Sequence, residues 1–152
     1  MSDFTYTVES RIAADRATLW QHVTQMQHVN DELLPFVRMT YPADRTSLAG
    51  QTVPMGTVLF RSMILLFGIL PVDLHSLAFD KIEDNKAFYE NSTTLTHRYW
   101  KHTRSLTDTE GGVIVKDEVH FSPRLPLIGH LLLPIYTAIF RHRHRQLTKA
   151  FK

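Results

Sequence analysis

Residues 98–122 read RYWKHTRSLTDTEGGVIVKDEVHFS, two alternating segments of apolar and polar residues on either side of Gly111-Gly112. Alternation with a period of two is typical of a half-buried β-strand, and a glycine turn between two such segments predicts an antiparallel hairpin. We place its two strands at about 95–108 and 113–122. This hairpin is the starting point for predicting the rest of the fold.

The register of the hairpin decides which side chains share a face. Directly opposed residues have a constant sum of residue numbers, and a turn centred between Glu110 and Gly111 gives a sum of 221. The opposed pairs are then Trp100 with Phe121, His102 with Val119, Arg104 with Asp117 and Leu106 with Val115. The next even register would pair Trp100 with Ser122, His102 with His120 and Arg104 with Glu118. We favour the odd register because it groups the apolar residues, and it predicts His102, Arg104 and Asp117 on the concave face.

The sequence before and after the hairpin predicts further strands and three helices. Alternation predicts a strand at Phe4 to Ile12, and Asp15 can cap a helix that runs to about Gln27. A second short helix starts at Asn30-Asp31-Glu32 and is stopped by Pro35. Other strands are predicted at about 36–41, 57–67, 72–82 and 86–93, with a turn at Asp84-Asn85.

A long helix is predicted from about Pro126 to the end of the chain, because apolar residues recur there at helical spacing. Pro134 either kinks this helix or separates Leu127 to Leu133 as a turn of its own. The elements together predict an α+β fold over a single domain, residues 1–152. A curved antiparallel sheet of about six to seven strands wraps around the long C-terminal helix, and two short helices follow the first strand. A cavity open at one end is expected between sheet and helix.

The C-terminal third resembles the ligand-binding SRPBCC superfamily, which includes START lipid-binding domains, pollen-allergen-like proteins and polyketide cyclase-like proteins. The resemblance rests on the order and spacing of short motifs: Trp100-Lys101-His102, Gly111-Gly112, Val115-Lys116-Asp117-Glu118-Val119, Pro123, Ile139-Phe140 and Arg143-His144-Arg145-Gln146-Leu147. It implies a helix-grip fold with an internal cavity for a hydrophobic or amphipathic small molecule. Because the superfamily includes carriers, sensors and enzymes, it implies no particular ligand.

Six residues are the candidate ligand-binding residues. His102, Arg104 and Asp117 form the predicted polar anchor, and Trp100, Tyr136 and Phe140 form the predicted apolar wall. Each also has a purely structural interpretation. Arg104 and Asp117 can form an internal ion pair that fixes the hairpin, His102 can be a hydrogen-bonded core residue, and the aromatic residues can be ordinary core.

The predicted function is the binding of a lipid-like or polyketide-like molecule, as a carrier or sensor. The alternative is an enzyme of the cyclase or dehydratase kind, in which His102 and Asp117 are the candidate catalytic residues and move protons in the cavity. Substrate and pathway are left open.

Several other classes of function lack sequence support. The chain contains no cysteine, which excludes thiol catalysis and disulfides, and it has no glycine-rich phosphate loop. No histidine pair has the spacing of a zinc site, so we expect no metal and no cofactor. The longest apolar stretch, residues 63–72, is too short to span a membrane. The N-terminus has no secretory signal, and we expect a cytoplasmic protein.

The positive charge is concentrated at the C-terminus, although the net charge is only +2. Arg141, Arg143 and Arg145 are expected on a solvated helix end, where they favour the negative end of the helix dipole. They allow at most weak contact with an anionic surface, and no nucleic-acid partner is expected because aromatic residues are not interleaved. The oligomeric state is left open.

Overall fold

The computed structural model describes residues 3–48 and 53–152. Its strands and helices follow the predicted order, with a seven-stranded sheet and three α-helices. In chain order they are β1 (Phe4–Ile12), α1 (Arg16–Val23), α2 (Met26–Leu33), β2 (Val37–Met39), β3 (Val58–Leu66), β4 (Leu70–Glu83), β5 (Ala87–Thr94), β6 (His97–Thr109), β7 (Gly112–Pro123) and α3 (Gly129–Ala150). A short 3-10 turn, Pro126–Ile128, precedes α3.

The sheet is antiparallel throughout, in the order β1-β7-β6-β5-β4-β3-β2. It curves around α3, so the predicted α+β helix-grip fold is confirmed. The β6–β7 hairpin has the odd register, in which Trp100 opposes Phe121 and Arg104 opposes Asp117. Gly112 in its turn packs against the end of β1: a Cβ there would lie 2.2 Å from the carbonyl oxygen of Ile12.

The first helix ends earlier than predicted. It stops at Val23, and α2 already begins at Met26, whereas the sequence pattern placed this break near residues 27–30. The backbone around the break bonds to a distant segment: Met26 N–H donates to Thr46 O, and Leu48 N–H donates to Thr24 O. Asp15 is the N-cap residue of α1, as predicted, but its side chain makes no capping hydrogen bond.

The C-terminal helix is continuous through Pro134. Of the two predicted alternatives, a separate turn over Leu127 to Leu133 is wrong, because residues 129–133 belong to α3 and only Pro126–Ile128 forms a turn before it. Proline lacks the N–H that would bond to the carbonyl of His130, which is a loss of one bond in a helix of 22 residues.

Two apolar clusters fill the space between sheet and helices. One cluster surrounds Trp20 and Leu147, and the other surrounds Phe121 and Phe140. Along β6 and α3 they are separated by polar residues that are also buried. The core is thus two apolar layers with a polar layer between them, and the polar layer positions the candidate site.

Candidate functional site

Arg104 and Asp117 form the centre of the polar layer. Both are fully buried, and the guanidinium of Arg104 donates to both carboxylate oxygens of Asp117, at 2.8 Å from Nε and 2.7 Å from Nη2. The odd register puts the two residues opposite each other on neighbouring strands. A buried charge without a partner would cost several kcal/mol, and here each charge has a bidentate partner.

A second carboxylate, Glu32 of α2, reaches the other side of Arg104. Its oxygens accept hydrogen bonds from Nη1 and Nη2 of Arg104, at 3.1 Å and 2.9 Å. It also accepts one at 3.1 Å from Nε of Arg143 on α3. Glu32 thereby connects α2 to β6 and to α3 through one buried ion cluster.

The burial of Arg143 corrects the prediction of a solvated basic helix end. Arg143 and His144 are both buried, whereas Arg141 and Arg145 are exposed. The helical period turns residues 143 and 144 towards the sheet. There Glu32 accepts a hydrogen bond from Arg143, and Asp117 is hydrogen-bonded to His144. Arg143 is therefore not part of an exposed basic surface.

Histidines extend the polar layer in both directions from Asp117. His144 Nε2 lies 2.6 Å from Asp117 Oδ2, and its Nδ1 lies 2.6 Å from the hydroxyl oxygen of Ser10. On the other side, His102 Nε2 lies 2.7 Å from Asp117 Oδ1. Asp117 thus orients both imidazole rings as well as Arg104.

Glu90 of β5 continues this chain of groups beyond His102. His102 Nδ1 lies 3.6 Å from Glu90 Oε1, and Glu90 Oε2 lies 2.5 Å from His75 Nε2. Ser92 donates to the same oxygen of Glu90 at 2.6 Å. Carboxylates and imidazoles therefore alternate from Asp117 through His102 and Glu90 to His75.

A cavity of about 170 Å³ lies between the sheet and α3. Its walls are mainly apolar, from residues of α2, β2, β3, β4, β5, β6 and α3, among them Met26, Leu33, Met39, Leu77 and Ile139. The polar groups at its surface form two clusters. One consists of His75, Glu90 and His102, with Arg143 nearby, and the other consists of Asp73, His97 and Tyr136.

Four of the six predicted site residues line this cavity: Trp100, His102, Tyr136 and Phe140. Arg104 and Asp117 are not among the residues that line it. Both lie behind His102, where Asp117 bonds to this histidine and Arg104 bonds to Asp117. The structure therefore brings all six residues into one region but places only four at the cavity surface.

The second polar cluster connects β4, the β5–β6 turn and α3. Asp73 accepts a hydrogen bond from the Thr96 hydroxyl at 2.6 Å and lies 3.6 Å from His97 Nδ1. The Tyr136 hydroxyl lies 3.1 Å from His97 Nε2. Burial raises the pKa of Tyr136 above its usual value, so its hydroxyl remains a neutral hydrogen-bonding group.

The three buried carboxylates around Arg104 and His102 are ionised. Burial opposes ionisation of Asp117, but Arg104 and His102 outweigh it and hold its pKa well below the usual value. Burial likewise opposes ionisation of Glu90, yet His75 and His102 lower its pKa to about 2. The pKa of Glu32 is also lowered, since Arg104 and Arg143 outweigh its burial.

His102 compensates the remaining charge. Three ionised carboxylates (Glu32, Glu90 and Asp117) face two buried arginines (Arg104 and Arg143), which leaves one negative charge. Burial lowers the pKa of His102, but Asp117 and Glu90 outweigh burial and raise it above the usual value. A protonated His102 offsets negative charge of Asp117 and Glu90 and presents a proton donor at the cavity wall.

Sequence reasoning missed Glu32, Glu90, His75, His97 and the inward orientation of Arg143. Glu90 had a detectable signal, because it alternates with the buried Phe88 and Ser92 on β5. Glu32 had none, since its partners Arg104 and Arg143 lie far along the chain and the acidic turn at 30–32 has a simpler interpretation as a helix start.

Residues 3–48 and 53–152 contain no group of three or more histidine and acidic residues arranged to hold a metal ion. No helix in these ranges is both long and apolar enough to cross a membrane.

The fold is that of the SRPBCC superfamily, and solved structures match it over nearly the whole chain. A START superfamily protein from Mycobacterium smegmatis has a TM-score of 0.63 at 11% identity, with 98% of this chain and 96% of that chain covered. Norcoclaurine synthase from Thalictrum flavum has a TM-score of 0.65 at 12% identity, with 97% and 86% covered. A protein of Chromobacterium violaceum has a TM-score of 0.67 at 10% identity, with 97% and 96% covered.

Within this fold class the chain belongs to a family described as a domain of unknown function, DUF8410, whose model matches residues 10–151. No curated protein sequence matches the chain significantly. At these identities the solved structures establish the fold alone, and the function has to be argued from the cavity.

Proposed function

We propose that this protein binds a small hydrophobic or amphipathic molecule in the cavity between sheet and α3, as a cytoplasmic carrier or sensor. The observation that carries the proposal is the cavity itself, which has apolar walls and two separate polar clusters. Ligand sites typically combine an apolar lining with a few polar groups that fix orientation.

The cavity volume bears on the size of the guest. An apolar cavity of about 150 Å³ is sufficient to bind benzene. At about 170 Å³, the enclosed space here fits one ring or a short branched chain rather than a whole lipid tail. A longer molecule would have to extend through the opening. We therefore propose a guest with a compact apolar part and one or two polar groups.

The two polar clusters suggest how such a guest is oriented. Asp117 holds the ring of His102 through Nε2, whereas Nδ1 lies 3.6 Å from Glu90, beyond hydrogen-bond distance, and can donate to a carbonyl or hydroxyl oxygen of the guest. The Tyr136 hydroxyl offers a second hydrogen bond from α3. In this proposal Trp100 and Phe140 supply apolar contact, and Asp117 and Arg104 act as positioning residues behind His102.

The proposal is tested by native mass spectrometry of gently purified protein, followed by extraction and by titration with benzene. Ile139→Trp fills the cavity because Ile139 lines it, whereas Ile135→Trp one turn earlier on α3 does not. We expect a stoichiometric guest, or benzene binding, in the wild type and in Ile135→Trp, with at least tenfold weaker binding in Ile139→Trp. Equal binding by all three proteins would overturn the proposal.

An enzymatic function is the second candidate, and the position of His102 favours it. His102 lines the cavity, and Asp117 and Glu90 raise its pKa, which favours its protonated form as a general acid. A general acid at this position could polarise a carbonyl group, as a cyclase or dehydratase requires.

Deuterium uptake from D2O at the methyl group of acetophenone tests this second candidate. We expect the wild type to accelerate uptake, and His102→Gln to reduce the acceleration by about 100-fold, within the range typical of a general acid. If His102→Gln were as active as the wild type, or if neither accelerated uptake, the enzymatic candidate would be rejected.

A further inference from the structure

The exposed apolar side chains are concentrated at one end of the sheet. Eight large apolar residues in the described ranges are more than half exposed. Six of them, which we call the apolar rim, lie in or beside three turns: Phe67, Ile69 and Leu70 between β3 and β4, Leu95 between β5 and β6, and Leu125 and Leu127 between β7 and α3. Leu131 follows in the first turn of α3, and only Val58 lies at the opposite end.

The three turns lie at the same end of the sheet. In an antiparallel sheet of this order, the β3–β4, β5–β6 and β7–α3 connections all emerge at the same end. Backbone hydrogen bonds join the β5–β6 turn to its neighbours: Leu95 N–H donates to Leu74 O in β4, and Arg124 N–H, at the end of β7, donates to Thr96 O. Exposed apolar side chains gathered at one end of a monomeric protein mark an interaction site.

The charges around the apolar rim are mainly positive. Arg38, Arg98 and Arg124 are exposed next to the same turns. Arg124 donates to the carbonyl oxygens of Leu95 and Thr94 rather than to a carboxylate, so its charge is not neutralised there. Among the acidic residues on this side, Asp73 is bonded to Thr96, and Asp3 is exposed at the start of β1.

The opposite end of the sheet is polar by contrast. Its turns carry Asp84-Asn85-Lys86 and Glu110-Gly111, all of them exposed. The molecule is therefore polarised along the strands, with apolar tips and arginines at one end and hydrated turns at the other. This asymmetry is the pattern that orients a peripheral protein on a membrane.

We propose that the apolar rim docks onto the surface of a bilayer that contains anionic lipid. The three turns would insert their side chains to the boundary of headgroups and acyl chains, and Arg38, Arg98 and Arg124 would contact the lipid phosphates. The cavity reaches the same end, since Asp73, Thr94 and His97 line it beside the rim turns. A membrane-dissolved molecule would thus meet the cavity opening on docking.

Docking is independent of cavity binding and can be tested separately. The test is co-sedimentation of the full chain with vesicles of phosphatidylcholine containing 30% phosphatidylserine, and with pure phosphatidylcholine vesicles. The rim variant is Ile69→Glu with Leu127→Glu; both side chains are largely exposed, so their replacement leaves the core intact. The matched control is Val58→Glu, an exposed apolar residue at the opposite end.

We expect the wild type and Val58→Glu to bind the anionic vesicles. The rim variant should bind at least tenfold more weakly, because it loses the two aliphatic side chains that would enter the bilayer. Arg38→Gln with Arg98→Gln should reduce the preference for anionic over neutral vesicles. Ile139→Trp should bind vesicles like the wild type, which separates docking from guest binding. Circular dichroism checks that each variant is folded.

The proposal is overturned if the wild type binds neither vesicle at low salt, or if the rim variant binds as well as the wild type. Sedimentation velocity without vesicles tests whether a second copy of this chain, rather than a membrane, binds to the apolar rim. If the wild type dimerises and the rim variant is monomeric, the rim is a contact between two copies of this chain, and the membrane proposal is rejected.

Discussion

His102 Nε2 lies 2.7 Å from Asp117 Oδ1, and only His102 of this buried pair reaches the cavity surface. Asp117 therefore affects the cavity surface only through His102, whose ring it orients and whose pKa it raises. The same carboxylate also binds Arg104 and His144, so one side chain links the cavity wall to the ion cluster that joins α2 and α3 to the sheet.

Replacing Asp117 with asparagine should strongly destabilise the fold. The variant leaves buried Arg104 with Glu32 as its carboxylate partner, and it replaces one of the two oxygens that contact His102 and His144 with an amide NH2 group, which cannot accept a hydrogen bond. We expect the free energy of unfolding to fall by about 3–5 kcal/mol, as measured by urea denaturation. Glu118→Gln, the next residue on β7 and on its other face, is the control and should change stability by less than about 0.5 kcal/mol. Similar effects of the two changes would contradict a central role for Asp117.

The Glu90–His102 pair predicts a pH window of extra stability. The pKa of Glu90 is lowered to about 2, so its contribution is present above its usual pKa of 4.5 and is lost as the pH falls through 2. The pKa of His102 is raised, so its contribution is present below its usual pKa of 6.5 and is lost as the pH rises through the raised value.

The window should be visible in urea unfolding of the wild type and of the variant Glu90→Gln with His102→Gln. We expect the difference in unfolding free energy to be largest between about pH 4.5 and 6.5 and to shrink on either side. A difference that stays constant from pH 3 to 9 would show that the two groups do not titrate as a linked pair.

Arg143 and Arg145 provide a matched test of the buried helix face. Arg143 donates to Glu32 and lies over the ring of Phe140, with 4.8 Å between guanidinium carbon and ring centroid, while Arg145 is exposed. Thermal and urea unfolding should show that Arg143→Gln costs about 1.5–3 kcal/mol, the range for a hydrogen bond to a charged group. Arg145→Gln should be neutral within about 0.5 kcal/mol. If Arg145→Gln were the more damaging change, the orientation of α3 would be wrong.

The hairpin register could be predicted from the sequence because its information is local. One register is selected by the strict alternation on both strands, the glycine turn and the grouping of Phe121, Val119 and Val115 on one face. The structure has this register. The approximate bounds of the strands and of the C-terminal helix follow from periodicity in the same way. These features depend on neighbours within about 25 residues.

Contacts between distant segments could not be predicted from one sequence. Glu32 meets Arg143 across 111 positions, and no local pattern distinguishes this arginine from exposed Arg141 and Arg145. The early end of α1 has the same origin, because segment 46–48 bonds to the backbone at 24–26. The roles of the cavity residues stay predictions, since packing brings them together but only a bound guest defines what they do.

NMR of methyl-labelled methionine during a benzene titration is the most direct test of guest binding in the cavity. Met26 and Met39 line the cavity, whereas Met55 and Met63 lie outside its lining and are partly exposed. We predict saturable shifts of the Met26 and Met39 methyl signals and none for Met55 and Met63, with the response abolished in Ile139→Trp. Unchanged Met26 and Met39 signals at saturating benzene, or equal shifts of all four, would contradict the existence of an accessible binding cavity.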